Sequence, residues 1–170
     1  EDINSTPMED MDNLSPIDMH HILNSTFESN SPIGFKEKID DEILEQIPFL
    51  NLSILYLNII DHQKELKLTP KGNLPRKICF QLYETGIIKE DYIERGIVKL
   101  NKEGDSYAIQ NIRIINLLSG NTKKRNNKIS LTAKGKKLLL DESKQELLES
   151  LFQTNCKEFN LGYHDGHPQE

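Results

Sequence analysis

Leu68-Thr69-Pro70-Lys71-Gly72 and Leu131-Thr132-Ala133-Lys134-Gly135 are nearly one phrase written twice, 63 positions apart. Each follows a short alternating apolar run and each leads into a helical pattern. A threonine at a helix N-cap accepts a hydrogen bond from an orphan backbone N–H, and Pro or Ala suits the first helical position after it. Both phrases are therefore expected to be strands that run straight into capped helices.

Upstream of the first phrase, Ile47 to His62 carries the strongest helical period of the chain. Ile47, Leu50, Ile54 and Leu57 mark one stripe, and Leu52, Leu55, Ile59 and Ile60 widen it almost all round, the pattern of a helix buried on several sides. Leu66-Lys67-Leu68-Thr69 alternates as a short strand. Beyond it, Gly72-Asn73 allows entry into a helix from about Leu74 to Glu84, with Leu74, Ile78 and Leu82 inward, Pro75 in the first turn and Gly86 at the close. Asp91 to Gly104 stays open, because Ile97-Val98-Lys99-Leu100 reads equally as a strand or a helix end.

Ser106 to Leu118 is again helical, with Ala108, Ile112, Ile115 and Leu118 on one face and Ile109 beside them, and Ser119-Gly120-Asn121 stops it. Lys128 to Thr132 is a strand entering the second phrase, and Asn126-Asn127 suits a hairpin turn because Asn tolerates positive φ. A helix from Ala133 to about Leu140 follows. A last helix begins at Asp141 or Ser143, with Leu148, Phe152 and Phe159 on one side and Leu147 and Leu151 beside them. Asn160 to Pro168 is turn-rich and expected to be exposed.

The front of the chain reads differently. Residues 1–13 are polar and acidic, a linker-like or disordered lead. Ser15-Pro16-Ile17-Asp18 has the cap, the N1 proline and the first-turn acid of a helix that runs to about Leu23. Asn24 to Gly34 is a loop with Phe27, Ile33 and Phe35 as apolar anchors, and Asp40 opens a short helix ending near Pro48. The expected organisation is a lead over 1–13, a helical extension over 14–46 packed on the domain, a main domain over 47–160 and an exposed tail over 161–170. In order, the main domain runs helix, strand, helix, helix, β-hairpin, helix. That is mainly α with a small antiparallel sheet, an α+β arrangement of winged-helix type. The helix from Ser106 holds the recognition position and the hairpin near Asn126 is the wing.

Composition narrows the possible roles. The 170 residues carry a net charge of −6, but residues 1–46 hold twelve acids and two bases, while the remainder holds fifteen acids and nineteen bases. The main domain is thus mildly basic, an asymmetry that accompanies tails or nucleic-acid faces. The apolar fraction of 36% is lean against the usual ~45–50%, a count that includes Gly. No apolar run approaches the ~18 residues of a membrane span. Glu1-Asp2-Ile3-Asn4 has neither a basic region nor an apolar core, so no secretory signal is expected; residue 1 is not Met, which fits a processed product or an excised fragment. Cys79 and Cys156 sit within apolar helical patterns as two buried reduced thiols, consistent with a cytoplasmic protein.

Residues 121–140 contain seven bases and no acid: Lys123, Lys124, Arg125, Lys128, Lys134, Lys136 and Lys137. Wing lysines suit nucleic-acid phosphates, which require positive charge. They equally suit a solvated hairpin whose charge blocks edge pairing. On the helix from Ser106, Gln110, Asn111, Arg113 and Asn116 have the donors and acceptors to read base edges, Gln and Asn with adenine and Arg with guanine. Gln110 and Arg113 join Lys123, Lys124, Arg125 and Lys128 as the candidate nucleic-acid contacts. His164-Asp165-x-His167 lacks a third ligand for a metal, and no Cys-x-x-Cys is present. Phosphate-loop, nucleophile-elbow, dinucleotide and zinc-protease patterns are missing, so neither catalysis nor a cofactor is expected.

Four stretches together resemble one family of bacterial domains of unassigned activity: Leu14-Ser15-Pro16-Ile17-Asp18-Met19-His20, the run from Leu66 through Asn73-Leu74-Pro75-Arg76-Lys77, Leu131 to Gly135, and Glu158-Phe159-Asn160-Leu161-Gly162-Tyr163-His164-Asp165-Gly166. The pattern is similar to a winged-helix-like C-terminal module of proteins with a SEC-C metal-binding motif, and to relatives of a plasmid open-reading-frame family. The likeness covers roughly residues 14 to 168. It implies a stand-alone or C-terminal module with no known activity. The chain has no SEC-C cysteine cluster, so no metal role and no functional residue carries over. The expected function is a non-catalytic binding module that contacts DNA through its wing. The alternative is a protein-interaction or assembly module of a larger bacterial protein, with no nucleic-acid role. Neither reading involves a membrane.

Overall fold

The computed structural model describes residues 3–166, apart from the His164 side chain. It divides into two compact units, one through Lys38 and one from Ile39 onward. In the first, 3-10 turns at Ile3–Ser5 and Glu9–Met11 precede helix α1, Pro16–Asn24. Met8 and Leu14 form an isolated antiparallel bridge, and Asp12 and Asn13 make the turn between them with positive φ. The start of α1 is the capping box that its sequence spells. Asp18 N donates to Ser15 Oγ at 3.2 Å, and Ser15 N donates back to the Asp18 carboxylate at 2.9 Å. Phe27 and Phe35 stack with ring centroids 4.9 Å apart, whereas Ile33 is exposed.

The second unit is mainly helical with one small sheet. Helix α2 is Asp41–Glu45, and α3, Pro48–Gln63, starts on its proline. Leu50, Leu52, Ser53, Tyr56, Leu57, Ile59 and Ile60 of α3 are buried, so it is the helix enclosed on several sides that its composition predicts. Strand β1 is Leu66–Lys67, α4 is Arg76–Tyr83, α5 is Asp91–Glu94 and α6 is Tyr107–Leu118. The hairpin β2, Thr122–Arg125, and β3, Lys128–Leu131, turns at Asn126-Asn127, both with positive φ. Helices α7, Ala133–Lys137, and α8, Lys144–Lys157, complete the order. Ile97 to Leu100 is neither strand nor helix.

The sheet is antiparallel throughout, with strand order β1-β3-β2. Leu66 faces Ile129 and Lys67 faces Lys128; across the hairpin, Thr122 faces Leu131, Lys123 faces Ser130, Lys124 faces Ile129 and Arg125 faces Lys128. Leu66, Thr122, Ile129 and Leu131 are buried. The turn residue Asn127 also fastens the exit of β1, donating through Nδ2 to the carbonyls of Leu68 and Thr69 at 3.2 and 2.9 Å.

The twin phrases do different work. Thr132 caps α7 as expected, its Oγ1 accepting from Gly135 N at 3.0 Å. Thr69 caps no helix, which corrects the sequence expectation. Gly72 N donates to the Thr69 carbonyl at 2.8 Å, closing a four-residue turn with Pro70 at its second position. Asn73 N donates to Thr69 Oγ1 at 3.1 Å, Gly72 has φ +80, and α4 begins only at Arg76. Proline after Thr69 and a left-handed glycine three residues on favour this turn over a helix start.

Three further expectations change. Helix α7 ends at Lys137 rather than near Leu140. Helix α8 turns Leu147, Leu151 and Thr154 inward and leaves Phe152 half exposed, while Phe159 is buried beyond its end. Both thiols are free, but only Cys79 is buried; Cys156 is exposed on α8.

Candidate nucleic-acid interface

Alternation along the strands sorts the basic residues. Ile129 and Leu131 face the core, so Lys128 and Ser130 face outward, and their cross-strand partners share that side. Arg125 and Lys123 of β2 thus stand on the outward face beside Lys128 and Ser130. Lys67 of β1 joins Lys128 from the other edge. Lys124, opposite Ile129, belongs to the inner side at the hairpin tip. Its ammonium reaches the turn after β1, so that a Cβ on Gly72 would lie 2.9 Å from Lys124 Nζ. Lys123, Lys124 and Arg125 are exposed, with no ion-pair partner among the described residues. Lys128 is paired: its Nζ lies 2.5 Å from Glu65 Oε2. That hydrogen bond, and then the charge of Lys128, hold the Glu65 carboxyl below the usual carboxylate range.

The rest of the basic run is less available. Lys134 donates to the Ser119 carbonyl at 2.7 Å and to Ser150 Oγ at 2.9 Å, and Lys137 lies 3.1 Å from Glu146. Lys136 is exposed.

Helix α6 is largely enclosed, with Gln110, Asn111 and Arg113 half-buried. Ile109, Ile112, Ile114, Ile115 and Asn116 are all buried, and α6 is flanked by α3, α4, α8, β2 and the Glu103–Asp105 turn. Apolar residues at 109, 112, 114 and 115 span more than one stripe, which encloses the helix. Gln110 donates to Tyr163 Oη at 3.1 Å. Arg113 donates through Nε to Glu103, a carboxylate only 1% exposed that also accepts from Leu74 N at 2.6 Å. Asn116 is fully buried; it donates to the Ile112 carbonyl and accepts from Asn121 Nδ2 at 3.1 Å. Asn111 lines an apolar groove with Ile47, Phe49, Leu148 and Phe152. Gln110 and Arg113, both half-buried, are thus held by hydrogen bonds inside the unit.

The N-terminus of α6 is held in the same way. The Glu90 carboxylate accepts from Ser106 Oγ, from Tyr92 Oη at 2.7 Å and from Ala108 N at 3.2 Å. An acceptor of negative charge suits that helix end. Deep inside, burial raises the Tyr56 phenol above its ordinary range and pushes the Cys79 thiol up to about 12.

Two residues escaped the sequence reading. Lys67 was legible in principle: Leu66-Lys67-Leu68 alternates, and Lys67 pairs beside the wing once the sheet closes. Glu103 had no pattern to betray it, since its partners Leu74 and Arg113 lie 29 and 10 positions away on other elements. His167 and the side chain of His164 lie outside the described residues, and no group of three potential metal ligands occurs among those described. No helix among the described residues is long and apolar enough to cross a membrane.

No family model, no curated protein and no solved structure matches this chain.

Proposed function

We propose that this chain is a non-catalytic binding module of winged-helix type that contacts nucleic-acid phosphates through its basic hairpin. The observation that carries the reading is the trio Lys123, Lys124 and Arg125, exposed on β2 with no acid in ion-pair reach among the described residues. Cations left unneutralised at a hairpin tip suit a polyanion, whose condensed counterions are released when it binds. The winged-helix assignment draws on the order α3, β1, α4, α6, β2, β3 and on a sheet ordered β1-β3-β2. A cytoplasmic setting goes with this reading, as does the family likeness of the four stretches noted in the sequence.

The test replaces Lys123, Lys124, Arg125 and Lys128 together with Ala and measures retention of a random-sequence DNA duplex at low salt. Binding by the wild type and its loss in the fourfold variant, with an unchanged unfolding midpoint, is the expected outcome. Equal binding by both proteins contradicts the reading. The competing reading, a protein-interaction or assembly module, draws on the groove of about 330 Å³ between Ile47, Phe49, Leu148 and Phe152. It is the reading left if the wild type retains no duplex at all.

A further inference from the structure

The structure points to a larger surface than the hairpin. We propose that the outward face of the three-stranded sheet is a docking surface for the phosphate backbone of a nucleic-acid duplex, with Lys67, Lys128 and Arg125 as a cross-strand row of cations and Glu65 as an internal competitor for Lys128. This rests on the phosphate-binding reading and adds to it a residue outside the hairpin, a mode of recognition and a restraint.

The row follows from register. Lys67 is paired with Lys128, and Lys128 with Arg125, so three cations stand side by side on one face of three adjacent strands. Neighbouring strands lie ~4.8 Å apart, which spreads the row over about 10 Å. Lys123 stands on the same face, two residues along β2, opposite the uncharged Ser130. Like charges directly opposed in a sheet repel, and a polyanion laid across them removes that repulsion. Glu65 supplies the one negative group paired to this face among the described residues, and it takes Lys128. Its carboxylate occupies the place of a phosphate oxygen, so duplex binding must displace it.

The kind of nucleic acid also follows. None of the residues of β1, β2 and β3 is aromatic. Single-strand binders stack bases on aromatic rings, and this face has no ring to offer. With Ile109, Ile112, Ile114, Ile115 and Asn116 buried, α6 turns most of its surface inward rather than toward base edges. What remains is backbone contact: independent of base sequence, dependent on charge and steeply sensitive to salt. If Lys67, Lys123, Arg125 and Lys128 each meet one phosphate, affinity falls about 150-fold between 50 and 200 mM salt, from a slope of about −0.9 per phosphate.

The experiment uses the full chain and its Lys67→Gln, Lys67→Arg, Glu65→Gln and Arg125→Gln variants. Each is titrated with random-sequence DNA duplex, RNA duplex and single-stranded DNA of equal length at 50, 100 and 200 mM salt, beside an unfolding curve that checks each fold. Lys67→Gln is expected to lower the salt dependence by one phosphate, from about 150-fold to about 40-fold, with the slope kept in Lys67→Arg. Glu65→Gln is expected to bind more tightly than wild type. Binding of either duplex supports the proposal, and the tighter one names the source of the phosphates. Wild-type behaviour of both Lys67→Gln and Glu65→Gln, with weakening in Arg125→Gln, overturns the sheet-face proposal while the hairpin reading stands. Stronger binding of the single strand also overturns it. No retention of any probe at 50 mM salt overturns both.

Discussion

Replacing Gly135 with Ala puts the packing of the second phrase to a test of sign. Gly135 lies in the first turn of α7 and is buried. A Cβ there would stand 2.1 Å from the Asn121 carbonyl oxygen and 2.9 Å from its carbon. These are backbone atoms and cannot swing aside. Asn121 is itself fully buried; its carbonyl accepts from Thr132 N at 3.0 Å and its side chain donates to Asn116. The junction between α7 and the entry to β2 has to open by roughly 1 Å to reach even a tight contact. Overfilling a packed site costs about 1–3 kcal/mol and occasionally more. Against this, alanine is favoured over glycine inside a helix by ~1 kcal/mol. The contact is far shorter than a typical overpacking strain, so a net loss of about 2 kcal/mol is expected. Gly104→Ala is the control, since no heavy atom lies within 4 Å of its added Cβ. It is expected to be neutral or to gain up to ~1 kcal/mol through the unfolded chain. Urea unfolding of the three proteins measures the difference. A Gly135→Ala protein as stable as wild type, or more so, would refute the close approach.

Three further outcomes are open to direct measurement. Arg113→Met leaves Glu103 buried without its cation, so unfolding is expected to lose about 3–5 kcal/mol, while duplex affinity of the folded protein stays at wild type; a drop in affinity at full stability would return Arg113 to the interface. A thiol reagent is expected to modify Cys156 at once and Cys79 only as the protein unfolds, because Cys79 is buried and its thiol is pushed up to about 12; equal labelling rates in the native protein contradict that burial. Hydrogen bonds from the Ser15 hydroxyl and Ser15 N hold the Asp18 carboxyl below its ordinary 3.8. A lowered folded value means that the capping box contributes fully above the unfolded value and is lost as pH falls through the folded one. Amide shifts of Ser15 and Asp18 are expected to titrate with a midpoint below 3.8 and to lose that titration in Asp18→Asn; a midpoint at or above 3.8 contradicts the box.

Much of the fold is written in local chemistry. Ser15-Pro16-Ile17-Asp18 spells a cap whose hydrogen bonds all form, and Asn126-Asn127 spells a turn whose positive φ the chain adopts. The apolar density of 47–62 announces a helix enclosed on several sides. Where two answers were locally equal, the sequence alone could not choose. Leu147, Leu148, Leu151 and Phe152 offer α8 two neighbouring faces, and packing against α6 selects Leu147 and Leu151. The repeated phrase misleads for the same reason. Thr-x-x-Gly serves a helix that needs a small residue against Asn121 and equally a turn that needs a left-handed glycine. The candidate site was half legible. The hairpin cations could be read from composition, and the cross-strand row could not, because Lys67 enters it through pairing across about 60 residues. The internal partners of the α6 side chains were not legible either: Arg113 meets Glu103 ten residues back, and Asn116 is buried.

The central claim is that an enclosed helical unit offers polyanions a basic sheet face and nothing that reads base sequence. Its most direct measurement is the salt dependence of wild-type affinity for two duplexes of unrelated sequence. The account expects equal affinities at every salt concentration and a common slope between about −2.7 and −3.6, as three or four phosphate contacts require. Affinities that differ tenfold between the two sequences, or a slope near zero, would contradict it.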